Sequence, residues 1–195
     1  MKKYALRGWA VLTFTVALAG KDASAATLSE MRVLNATQKP GMMVLCEQQT
    51  AFTVKGLAEP VRTETRLLGR VLRNDGDRMV FQVTHTMKKP GAAQPFLTEK
   101  FRLTTTLEQG RQKMELDPAS VAVSLPFAKQ MEVAHAATLR ENRLSYADYN
   151  SYRIRKLPDY DILPAPDIHD STAMHCTTRH PVPSDSQTEA GKITP

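Results

Sequence analysis

Residues 167–180, DIHDSTAMHCTTRH, gather three of the chain's five histidines and one of its two cysteines. Imidazole and thiolate are the side chains that hold Zn²⁺ or copper, so His169, His175, Cys176 and His180 form one candidate metal set, with Asp167 or Asp170 completing the shell. The spacing matches no established ligand motif, and the adjacent pair His175-Cys176 directs its side chains apart. The competing chemistry is oxidation. An exported chain with two cysteines most simply joins them, here Cys46 to Cys176, and a bridge closing so long a loop strongly restricts the unfolded chain. The disulfide is the favoured expectation, and no metal or other cofactor is assigned.

The export premise comes from residues 1–25. Lys2, Lys3 and Arg7 precede an eleven-residue apolar run from Trp9 to Ala19, and Ala23 and Ala25 stand at the small-residue positions before a cut ahead of Ala26. That run falls short of the about 20 residues that span a bilayer. A signal peptide cleaved between Ala25 and Ala26 and a periplasmic or secreted product are therefore expected, without a membrane span after cleavage. The formal net charge of +6 is unevenly spread: residues 26–156 carry 20 basic and 13 acidic side chains, whereas residues 157–195 carry 2 and 6. A basic body with an acidic tail, lacking a basic-aromatic motif, argues against nucleic acid as partner.

Other chemistry is sparse. No G-x-S-x-G, S-x-x-K, H-E-x-x-H, C-x-x-C, phosphate-binding loop or dinucleotide fingerprint occurs. An enzyme would need a cleft where His85 or His135 meets a carboxylate; for His85 alone, a satisfied histidine on an apolar strand face is the simpler reading. The nine methionines are dispersed and read as core filler. The more informative cluster is Tyr146, Tyr149, Tyr152, Arg153 and Arg155, because tyrosine and arginine are enriched where proteins meet. These five are the candidate partner-binding residues.

The elements that must position these groups follow from periodicity. Residues 26–41 form a polar lead-in, with TLSEMRVLNAT as a short helix before Pro40-Gly41. From Met42 the pattern has period two. Val44, Cys46, Phe52 and Val54 share a face, which turns Cys46 inward. Asp75-Gly76 predicts a two-residue hairpin turn that sets Leu72 against Met79, Arg70 against Phe81 and Leu68 against Val83. Gln109-Gly110 predicts a second hairpin with Glu108 facing Arg111, Thr105 facing Met114 and Leu103 facing Leu116. SVAVSL, 120–125, reads as a further short strand.

After Pro126, residues 127–150 are rich in helix formers, with an apolar stripe of Phe127, Met131, Ala134 and Thr138. Prolines then punctuate residues 157–195, an extended acidic tail expected to be disordered from residue 181. The expected fold is α+β: an antiparallel β-meander of five or six strands with one main C-terminal helix packed on a face, spanning residues 42–156, and the Pro-rich tail beyond. The expected function is an exported, non-enzymatic binding or assembly protein with a protein partner in the cell envelope. A carrier of a small apolar ligand and a metal-handling protein using the 167–180 cluster are the alternatives.

Overall fold

The computed structural model describes residues 26–52, 59–164 and 171–180. The signal-peptide reading of residues 1–25, Val54, the 167–170 part of the His/Cys cluster and the tail from 181 lie outside the described residues. The elements are α1 (Leu28–Thr37), β1 (Met43–Phe52), β2 (Val61–Asn74), β3 (Arg78–Lys88), β4 (Leu97–Glu108), β5 (Arg111–Ser124), α2 (Glu132–Glu141), β6 (Leu144–Asp148), β7 (Tyr152–Ile154), β8 (Tyr160–Ile162) and β9 (Met174–Arg179). All pairings between these strands are antiparallel, in the order β6-β5-β4-β3-β2-β1-β9-β8-β7. The two edges, β6 and β7, are joined by the single 3-10 turn Tyr149–Ser151, so the sheet curls into a nearly closed barrel.

This overturns the expected α+β meander with a main C-terminal helix. Helix α2 stops at Glu141, and Leu144–Asp148 pairs instead with β5, opposite Glu115 to Arg111. The tail expectation fails as well, because Tyr160–Ile162 and Met174–Arg179 are strands of the sheet. The cause is tertiary: β1 has a second edge, and β9 fills it with Cys46 paired to Cys176. Helix-forming composition around residues 144–154 yields to burial, with Ala147, Tyr149 and Tyr152 all inside the core.

Helix α1 closes one end of the barrel. Thr27 and Glu30 form a capping box: Thr27 Oγ1 accepts from the Glu30 amide at 3.2 Å, and Glu30 Oε2 accepts from the Thr27 amide at 2.7 Å. Met31 and Leu34, 1% and 2% exposed, then pack among Val71, Met79 and Leu107. Asn35 donates to Gly76 O, Asn74 donates to both Asn35 O and Gln38 O, and Arg32 grips Asp77 through two bonds of 2.8 and 2.7 Å.

That lashing explains a second correction. The β2–β3 turn is wider than two residues: Asn74 faces Met79, and the Asp75 amide bonds to Arg78 O. A bulge between Val71 and Arg73 then puts Val71, Gly69 and Leu67 opposite Phe81, Val83 and His85. The faces of β2 are thus exchanged relative to the expected register, and Leu72 is left exposed. Gly69 suits the result, since a Cβ there would sit 3.4 Å from the Phe81 ring.

The β4–β5 hairpin has the expected register throughout, with Glu108 opposite Arg111 and their side chains paired at 3.0 Å. Gly110 takes φ 81° at its turn, a backbone region that costs other residues about 1–2 kcal/mol. Gly110→Ala should therefore lower stability by about 1 kcal/mol, read from the urea midpoint at unchanged slope. SVAVSL proves to be the continuation of β5 past a bulge, where Ser120 Oγ accepts from the Arg102 amide.

The two ends of the barrel differ. Near α1 all nine strands contribute, but β6 reaches only Glu115 of β5, and β9 pairs with β1 only from Met43 to Glu47. Beyond those points, among the described residues, β1 to β5 continue and are met on the β1 side by the isolated bridge Thr50–Ser171 and by bonds that Gln48 Nε2 and the Gln49 amide donate to Thr172. Helix α2 lies across this end, the more open of the two among the described residues.

Candidate functional site

At the open end the inward face of β3 carries Val83 and His85, and that of β4 carries Leu97 and Glu99. His85 and Glu99 are directly opposite each other across the two strands. Helix α2 brings His135 over them. Glu99 accepts from both imidazoles, Oε2 from His85 Nδ1 at 2.6 Å and Oε1 from His135 Nε2 at 2.5 Å. All three side chains are largely shielded, at 9% exposed for His85, 8% for Glu99 and 17% for His135. Burial pushes the Glu99 carboxyl up, and the bonds to His85 and His135 outweigh it, holding the group below the ordinary glutamate range. The chemistry of this cluster is that of a strap: one carboxylate ties a helix to a strand through two charge-assisted hydrogen bonds.

Two further inward contacts of α2 are polar. Glu132 Oε1 accepts from the Leu125 amide at 2.8 Å, and Arg140 donates to Pro118 O and Val121 O at 3.2 and 3.3 Å. Ala136 is the one buried residue of the helix, packed with Leu116 and Val121, and Leu139 adds a partly buried contact. The seated face is therefore Glu132, His135, Ala136 and Leu139, one step around from the apolar stripe expected from sequence. The polarity is inverted. Val133, Ala134 and Ala137 face solvent, and Phe127 just upstream is 77% exposed beside Val133 at 80%. No other large apolar side chain among the described residues exceeds 49%.

Cys46 and Cys176 form the expected disulfide, buried within the core. The Cys176 sulfur is thereby unavailable as a thiolate ligand. His175 turns to Asp161, with Nδ1 2.8 Å from Oδ1, while Arg155 Nε donates to Oδ2 at 2.6 Å. Asp161 is 1% exposed; burial raises its carboxyl, but His175 and Arg155 hold it below the usual range. His180 is exposed just past β9, and His169 lies outside the described residues. Among the described residues no group of three or more His, Cys, Asp and Glu side chains is arranged to hold a metal ion.

The expected Tyr/Arg surface is dispersed. Tyr149 and Tyr152 are 4% and 5% exposed, and both plug the closing seam of the barrel from within. The Tyr149 hydroxyl donates to Glu108 O, and the Tyr152 hydroxyl donates to Gln112 Oε1 at 2.7 Å. Burial drives the Tyr152 phenol strongly upward and its neighbour Tyr160 to about 12, so both stay neutral. Tyr146 lies under the Arg111 guanidinium, 4.1 Å from its ring centroid, and Arg155 is bound to Asp161. Only Arg153 of the five stands exposed without an assigned contact. Tyr149 and Tyr152 offer no surface to a partner in this conformation, because edge closure needs their rings as core.

Sequence reasoning missed Glu99 and the exposed pair Phe127 and Val133. The signal for Glu99 was present: in LTEKF it alternates with Leu97 and Phe101, which places a carboxylate on an apolar face. Among the described residues no helix is long and apolar enough to cross a membrane. No family model matches the chain, nor does any curated protein or solved structure.

Proposed function

We propose that the chain is an exported, non-enzymatic binding protein of the cell envelope, and that it engages its partner through the segment from Pro126 to Ala137. The observation that carries this reading is the exposure of Phe127 and Val133 at 77% and 80%, on a segment whose outward residues are otherwise small, uncharged or the single cation Lys129. Two large apolar side chains left facing water within seven residues of chain are the kind of surface that is covered in use. The disulfide supports an oxidising compartment, in keeping with the signal-like residues 1–25.

The test is photo-crosslinking in the native cell, with a photoreactive residue at position 127 or 133 and controls at Lys39 and Arg78 at the α1 end. Adducts are expected from 127 and 133 and not from the controls. Equal labelling at both ends, or none at 127 and 133, overturns the reading.

A further inference from the structure

We infer that the partner of the Pro126–Ala137 segment is an anionic phospholipid surface, an inference that rests on the binding reading above. The argument comes from what else the topology brings to the same rim. Lys89 stands in the β3–β4 connection, Lys100 on the outward face of β4 opposite Ala122, Lys129 two residues past Phe127, and Arg62 at the start of β2. All four are exposed, and none of them makes an ion pair among the described residues.

At the α1 end three cations are tied, Arg32 by Asp77, Arg73 by Asp75 and Arg111 by Glu108, while Lys39 and Arg78 are exposed without an ion pair among the described residues, so it is the exposed apolar pair that sets the open rim apart. Among the described acids of the open rim, Glu64 binds Lys88 at 2.9 Å, Glu132 accepts from the Leu125 amide and keeps its charge, and Glu59 is exposed. Unpaired cations around an exposed phenylalanine and valine are the combination that an acidic bilayer interface rewards. Lysine and arginine meet the phosphate layer, while the apolar side chains enter the headgroup boundary. A second copy of this chain would bring the same cations against each other.

The experiment is co-sedimentation of the purified protein with vesicles of phosphatidylcholine alone or with about one third phosphatidylglycerol, at low and at raised salt. The wild-type protein should bind the anionic vesicles, release them as salt rises, and bind the neutral ones far less. Replacing Lys89, Lys100 and Lys129 with glutamine should weaken anionic binding by roughly a hundredfold, about fivefold per charge. Phe127→Ser with Val133→Ser should weaken it roughly tenfold or more. These sites are exposed, so unchanged thermal midpoints show that the variants still fold.

No preference for anionic vesicles, or variants binding as wild type does, overturns the inference. So does a concentration-dependent dimer that Phe127→Ser dissolves. Protein adducts from positions 127 and 133 in cells, with no vesicle binding, remove the lipid and leave the binding reading standing. Failure of both experiments removes both.

Discussion

Replacing both Cys46 and Cys176 with alanine will lower the free energy of unfolding by about 5 kcal/mol on the chain-entropy account. The two residues are 130 positions apart, so the bond closes a loop covering most of the described barrel. A domain of this size has of order 5–15 kcal/mol in total, so the loss is a large part of it. The location sharpens the expectation. β9 joins the barrel through pairing with β1 from Met43 to Glu47, and β8 and β7 attach to the sheet through β9. Without the bridge these three strands are held by a short stretch of pairing and by the tyrosine core. The measurement is urea unfolding of the oxidised protein, the reduced protein and the double-alanine variant. Coincident midpoints for all three would show that the bridge adds nothing to the fold.

Glu99→Leu should cost roughly 3 kcal/mol, from two hydrogen bonds to a charged group at about 1.5 kcal/mol each. The substitution keeps most of the volume but takes the acceptor from His85 and His135 together. His135→Ala should cost less, because Glu99 keeps its bond to His85, and the two effects should be clearly non-additive in a double-mutant cycle. Additive losses would mean that the strap between α2 and β4 is not a working contact.

The same pair predicts a pH effect. Because the folded carboxyl titrates below its unfolded value of about 4.3, Glu99 contributes stability that is fully present above that value. The contribution is lost as pH falls through the lower, folded value. Asp77 and Asp161 are depressed too, so wild-type stability falls in acid for several reasons. The difference between wild type and Glu99→Leu reports on this carboxyl: it should shrink as pH falls through the depressed carboxyl range. A difference that stays flat through the acid range would contradict the assignment.

How much of this was legible depended on whether a signal was local. Gln109-Gly110 sets its register through its immediate neighbours, and the structure has that register. Asp75-Gly76 looked the stronger turn, yet α1 takes its backbone carbonyl and side-chain partners, widens it and exchanges the faces of β2. Both faces of β2 carry large apolar residues, Leu67 and Val71 on one and Leu68 and Leu72 on the other, so apolar content alone could not arbitrate. The residues at 144–162 were misread for a related reason. Tyr149, Tyr152 and Tyr160 have an inside only once the barrel closes, which depends on β9 arriving from far along the chain. The Cys46–Cys176 pairing was legible because compartment and cysteine number constrain it without knowledge of the fold. The shared carboxylate was half legible, since His85 and His135 were marked as needing an acid but Glu99 was not singled out.

The position of β1 between β2 and β9 also bears on how the protein is made. β1 emerges early, but its second neighbour begins at Met174. The two cysteines are 130 positions apart, so at a synthesis rate of about 5–20 residues per second, about 6 to 26 seconds separate the appearance of Cys46 from that of Cys176. Through that interval β1 offers a bare strand edge and a thiol with no native mate. Crowding or overexpression should therefore favour cross-linked dimers through Cys46, and a holding chaperone or a thiol reshuffling enzyme would act on this chain before the barrel exists.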